Sequence, residues 1–229
     1  MARPPVRAQK GWTDMTVEQD RCRLVLVVPE IADAGDQERR LADALRGGDV
    51  ASVILPQYGE DIEAFQSRAE RLVPVIQDHG AAALIAGDTR VAARVRADGI
   101  HVARGELADA MERFSPRLIV GAGGLKDRHA ALEVGEANPD YVFFGKLDGD
   151  THAGPHPKNL DLGEWWASMV EIPCIVMAGS DPAGVVDVAL TFAEFVAVGK
   201  AVFDAPGGPA AMVAEINAML DEKAPRFDD

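Results

Sequence analysis

The chain has 229 residues, 48% of them hydrophobic, enough to bury a sizeable core in one domain. Its 37 acidic against 23 basic residues give a formal charge of -14, which argues against a nucleic acid or an anionic membrane as partner while leaving room for a local anion site. No run approaches the roughly 18 apolar residues of a membrane span, the polar N-terminus lacks a signal-peptide core, and Cys22 and Cys174 lie in apolar runs without disulfide or zinc spacing, so a cytoplasmic location is expected.

The first segment, 1–20, carries prolines and basic residues without apolar periodicity and is expected to be a flexible arm, with one helical turn over 14–20. From there short apolar runs recur about every 24 residues, each followed by a helix-like segment. They fall at 24–28, 50–55, 81–86, 99–102, 118–121, 141–145, 174–178 and 195–199. Strands apolar on both faces and alternating with amphipathic helices belong to parallel sheets covered by helices. Eight such units predict an α/β protein with a closed (β/α)8 TIM barrel over 21–222, its chemistry at the carboxyl ends of the strands, and a fraying acidic tail over 223–229. Ile54, Ile85, Val120, Val176 and Val198 are expected inside strands.

Helix boundaries follow from capping chemistry. Asp36 is expected to cap the first helix and Gly47-Gly48 to end it; the second spans about 60–79, with Pro74 a kink or a last-turn marker. Asp88, Asp127, Asp181 and the 206–209 segment mark later helix starts, and the last helix covers about 210–220. The longest connection, 146–159, holds two histidines and no apolar period, which suits an active-site cover or a disordered insertion.

Asp88, after the third strand, and Glu106, after the fourth, could share Mg2+ on the catalytic face; both also suit helix N-terminal positions, where the helix dipole favours a carboxylate. Gly179 and Ser180 after the seventh strand, with Gly199 and Lys200 after the eighth, match the phosphate site of many barrels, although glycine there also permits a tight turn. His101 reads as a buried, hydrogen-bonded barrel residue, and His79 and His129 as exposed helix positions. No serine-histidine pair supports a nucleophile triad. Trp165 and Trp166 are expected to pack the sixth helix against the barrel; exposed, they would serve an interface in a homo-oligomer.

The pieces Asp98-Gly99-Ile100-His101, Asp140-Tyr141-Val142-Phe143-Phe144-Gly145 and Ile175-Val176-Met177-Ala178-Gly179, in this order, resemble the thiamine-phosphate synthase and TenI-type thiazole tautomerase superfamily, over about 23–220. The resemblance implies a barrel in which a pyrimidine diphosphate is coupled to a thiazole phosphate with the help of Mg2+. It places the metal carboxylates at Asp88 and Glu106, the phosphate loops at Gly179 and at Gly199-Lys200, and substrate-loop lysines at Lys146 and Lys158.

One departure bears on the reaction. The family's Gln-x-Arg-x-Lys clamp for the diphosphate, at the end of the second strand, aligns with Ile54, Pro56 and Tyr58, and no Arg or Lys occurs between Gly48 and Arg68. Losing those charge-assisted hydrogen bonds predicts slow or absent coupling. The expected function is binding of a small phosphorylated ligand of the thiazole phosphate or thiamine phosphate type, with a transferase activity if the chain is active. The alternatives are a non-catalytic binding or regulatory paralogue, a barrel enzyme for another small phosphate ester, and a tautomerase using His101 or His152 as acid and base.

Overall fold

The computed structural model describes residues 20–31 and 33–227. The expected arm over 1–19 lies outside the described residues. Eight parallel strands close into one barrel in sequence order: β1 (Arg23–Val27), β2 (Ser52–Pro56), β3 (Ala82–Ala86), β4 (Gly99–Ala103), β5 (Ile119–Gly123), β6 (Tyr141–Phe144), β7 (Cys174–Met177) and β8 (Phe195–Val198). Closure is the β1–β8 pairing, with Val25 opposite Ala197, while on its other side Val25 faces Ser52 of β2.

Alternation along these short strands divides two apolar layers. Val25, Val27, Ile54, Leu84, Phe143 and Met177 fill the barrel, whereas Leu26, Val53, Ile85, Val120, Val176 and Val198 point outward into the helix layer. Both faces of each strand are therefore buried, which is why the runs read as continuous hydrophobic stretches rather than as alternating ones.

The helices are α1 (Ala34–Leu45), α2 (Ile62–Asp78), α3 (Thr89–Val95), α4 (Leu107–Phe114), α5 (Arg128–Glu136), α6 (Pro157–Met169), α7 (Gly184–Ala189), α8 (Lys200–Phe203) and α9 (Pro209–Lys223). The cap of α1 is Asp33, not Asp36: the extended Asp33 accepts the Asp36 N–H at 2.7 Å, which leaves the Asp36 carboxylate free to pair with Arg39 and Arg40 one turn on. Helix α2 carries Pro74 without ending at it, the proline standing on the exposed face. Asp181 does not cap α7 directly; its Oδ1 accepts the Ala183 N–H in the turn before it. The turn α8 was not expected from the sequence.

Two further differences matter for the site. Helix α6 begins at Pro157, inside the expected long connection, because the His156 ring accepts the Lys158 N–H and Pro157 occupies the first turn, where its missing N–H costs nothing. Of the tail expected to fray over 223–229, Lys223 ends α9, residues 228–229 lie outside the described residues, and 224–227 turn back: the Phe227 N–H donates to the Asp20 carbonyl at 2.8 Å, and Arg226 pairs with Asp20 at 3.0 Å.

Candidate functional site

The strand carboxyl ends form the mouth of the barrel. Pro56, Ala86, Ala103, Gly123, Gly145, Gly179 and Gly199 stand at or just beyond those ends, so the rim is made of small side chains and backbone. Beneath it, His101 is only 8% exposed and shares a 3.0 Å hydrogen bond between its Nδ1 and the Tyr141 hydroxyl, with its ring packed edge-on to Phe143. A side chain at Gly123 would fall 2.7 Å from His101 Nε2, so the glycine leaves that nitrogen its space. Burial lowers the His101 pKa to about 4 and raises that of Tyr141, so the imidazole is neutral and the phenol protonated across the physiological range. This is the buried, hydrogen-bonded His101 expected from the sequence; His79 and His129 are exposed, as expected.

Ser180 and Lys200 are brought together. Both line a pocket of about 420 Å³, with Asp150, Thr151, Asp204 and Met212 among its other walls. Two backbone donors of the seventh-strand loop are already engaged by residues 152–153: the Ser180 N–H donates to the His152 carbonyl at 2.8 Å and the Asp181 N–H to the Ala153 carbonyl at 3.0 Å. The Lys200 N–H donates to the Asp150 carboxylate at 2.5 Å. Gly179 and Gly199 are needed for close approach, since a Cβ on the first would run into the Ala153 backbone and one on the second would fall 2.9 Å from Asp150 Oδ2.

The expected metal carboxylates occupy separate local roles. Asp88 caps α3, accepting the Arg90 N–H at 2.9 Å, and the Arg90 guanidinium spans both its oxygens at distances down to 2.5 Å. That guanidinium holds the Asp88 pKa down to about 2. Glu106 is exposed and turns back so that its Oε2 accepts the Ala103 N–H at 3.3 Å. Among the described residues no three His, Cys, Asp or Glu side chains gather where a metal ion could sit.

Lys146 and Lys158 are both exposed, Lys146 beginning the loop after β6 and Lys158 lying in the first turn of α6. Neither lines the pocket that Ser180 and Lys200 share. Arg104 pairs with Glu133 at 3.0 Å on the surface.

At the end of β2 the clamp positions carry other work. Ile54 is buried in the barrel interior, and the Tyr58 hydroxyl donates to the Val28 carbonyl at 2.7 Å, its pKa pushed up to about 12 by burial. Arg68, distant in sequence, reaches this corner from α2. Its Nη2 donates to the Pro56 carbonyl at 2.5 Å and pairs with Glu60, while the guanidinium lies 5.1 Å from the centre of the Phe65 ring. A cation is thus present near the clamp position but is neutralised by Glu60 and tied to the backbone.

Sequence reasoning did not find Asp150, which is 3% exposed, or Leu147, which packs against the barrel-interior apolar cluster. Asp150 stands between Gly149 and Thr151 in a segment without periodicity, which gives no cue to its depth.

A family model described as thiamine monophosphate synthase matches residues 24–202. The chain is similar to the thiamine-phosphate synthase of Hyphomonas neptunium, with 31% identity over 220 residues covering 93% of this chain and 100% of that protein. It is likewise similar to the thiamine-phosphate synthase of Rhodospirillum centenum, with 32% identity covering 87% of this chain and 98% of that protein. Among solved structures, thiamine phosphate pyrophosphorylase from Pyrococcus furiosus superposes with a TM-score of 0.74 at 19% identity, covering 89% of this chain and 98% of that one. A 3-hexulose-6-phosphate synthase superposes at 0.67 with 20% identity, covering 86% and 99%. At those identities the structural likenesses speak for the barrel alone.

Proposed function

This chain belongs to the thiamine monophosphate synthase family, and on that premise we propose that it binds a thiazole phosphate or thiamine phosphate type ligand at the mouth of the barrel, with coupling to a pyrimidine diphosphate slow or absent. The observation that carries the reading is an asymmetry between two corners of the mouth. On the β7–β8 side, Ser180 and Lys200 line one pocket, and the backbone N–H groups of both, beside Gly179 and Gly199, are engaged by His152 and Asp150 of the same chain. On the β2 side, Pro56 replaces a donor, the Tyr58 hydroxyl is spent on the Val28 carbonyl, and Arg68 pairs with Glu60 and donates to the Pro56 carbonyl, its buried Nη1 being left without a hydrogen-bond partner among the described residues. A monophosphate that displaced residues 150–153 would meet the Ser180 and Lys200 N–H groups and the Lys200 side chain, whereas a departing diphosphate lacks the charge-assisted hydrogen bonds of the clamp.

Magnesium, which the family resemblance implies, does not fit Asp88 and Glu106 as they are placed. Two hard oxygen donors are present, but the Arg90 guanidinium already spans Asp88 and would repel a divalent cation brought to the same oxygens. The buried thiols Cys22 and Cys174, whose pKa values burial raises, suit a reducing compartment and so the cytoplasm.

The test is calorimetric titration of the full chain with a thiazole monophosphate, alongside Lys200→Glu. Saturable binding that weakens at least tenfold in the variant is expected. Equal binding by the variant would remove the assignment of this pocket, as would failure of the ligand to bind both the parent chain and Asp150→Asn.

A further inference from the structure

We propose that residues 147–155 are a tethered occupant of the ligand site, in which the Asp150 carboxylate holds the position of the ligand's phosphate and must leave before a phosphorylated ligand can bind. This rests on the monophosphate reading of the Ser180–Lys200 pocket.

Contacts from five residues of one segment support it. Leu147 packs against the barrel-interior apolar cluster from the mouth side of β6. Asp150, 3% exposed, accepts the Lys200 N–H at 2.5 Å and lies against Gly199. The His152 and Ala153 carbonyls take the Ser180 and Asp181 N–H groups, and Pro155 lies against Gly184 at the start of α7. Every one of the backbone donors named for an anion is thereby satisfied from within the chain, and the group that satisfies the deepest of them is itself an anion.

Burying a carboxylate costs free energy unless a positive or donor group receives it, so a buried aspartate seated on a backbone N–H beside Lys200 reports a position built for negative charge. A phosphate dianion and the Asp150 carboxylate cannot share that position: both require the Lys200 N–H, and at contact they repel. The segment therefore competes with ligand rather than closing over it. The competition is intramolecular, so the effective concentration of the carboxylate is high and the affinity for free phosphorylated ligand is lowered by the fraction of time the segment stays seated. Residues 151–154 are exposed, and the segment is held by Leu147, Asp150, Pro155 and two backbone hydrogen bonds, so release breaks a small set of contacts.

The experiment uses the full chain, a thiazole monophosphate and inorganic phosphate as probes, and Asp150→Asn, which keeps an acceptor for the Lys200 N–H while removing the charge. Calorimetry is expected to show the variant binding the thiazole monophosphate at least tenfold more tightly than the parent, with inorganic phosphate gaining in the same direction. Hydrogen exchange on the unsubstituted chain gives a second reading that does not depend on the variant folding: saturating ligand is expected to speed exchange of the amides of 147–155. Equal affinities in parent and variant, or slowed exchange in 147–155 on binding, would overturn the proposal and leave the monophosphate site standing. Absence of binding by both chains would remove the monophosphate reading, and the tethered occupant with it.

Discussion

His101 is held neutral at the base of the mouth, and the sign of its effect on stability follows from proton counting. Its folded pKa of about 4 lies below the unfolded value of 6.5, so between those pH values the unfolded chain binds more protons. Stability conferred by the neutral ring is present above pH 6.5 and is lost as the pH falls towards 4, by about 3 kcal/mol in all. Denaturant titrations at stepped pH are expected to show this loss, and His101→Asn to flatten it; a parent curve level over that window would contradict the burial argument. Asp88 makes a second case. With Arg90 across its oxygens, Mg2+ titrated into the ligand-free chain is expected to give no saturable binding, and a stoichiometric Mg2+ site that disappears in Asp88→Ala would contradict that. At this scale the sequence was legible where a residue acts on its own neighbours: Asp88 and Asp127 cap the helices that follow them, as their positions indicated. Asp150 was not legible, because its partner lies 50 residues away and only the closed barrel brings the two together.

Among the elements, β7 and α6 show how the short strands hold the helix layer. Val176 is fully buried and points outward, and α6 comes so close that a Cβ at Gly163 would fall 2.6 Å from its Cγ2. Trp166 is buried beside it, edge-on to Phe144, with its Nε1–H donating to the Ile172 carbonyl at 2.7 Å. Val176→Ala opens a gap that the rigid layer cannot fill and is expected to cost about 1 to 3 kcal/mol in chemical denaturation. A loss below a few tenths of a kcal/mol would show that the layer is loosely packed. All eight strands were legible, since β-branched and apolar residues crowd into runs too short for helices. Boundaries set by caps were less so: Asp36 reads as the start of α1, and only the geometry of the turn makes Asp33 the cap. The α6 start was hidden because a histidine, a less usual capping residue, supplies the acceptor.

The whole molecule is a closed eight-stranded barrel whose mouth is engaged by its own residues. At its rim, residues 150–153 accept hydrogen bonds from the Ser180, Asp181 and Lys200 N–H groups at the β7–β8 corner, and Tyr58, Arg68 and Glu60 tie the β2 corner into structure. The barrel could be recognised from apolar spacing because every strand contributes to it. The occupancy of the mouth could not, because it depends on how a loop without periodicity folds back over the sheet. The most direct measurement incubates the full chain with the pyrimidine diphosphate, a thiazole phosphate and Mg2+, and follows thiamine phosphate beside a family synthase that retains the Gln-x-Arg-x-Lys clamp. Turnover at least a hundredfold below that synthase, about 2.7 kcal/mol of lost transition-state stabilisation, is expected; turnover equal to it would contradict the account.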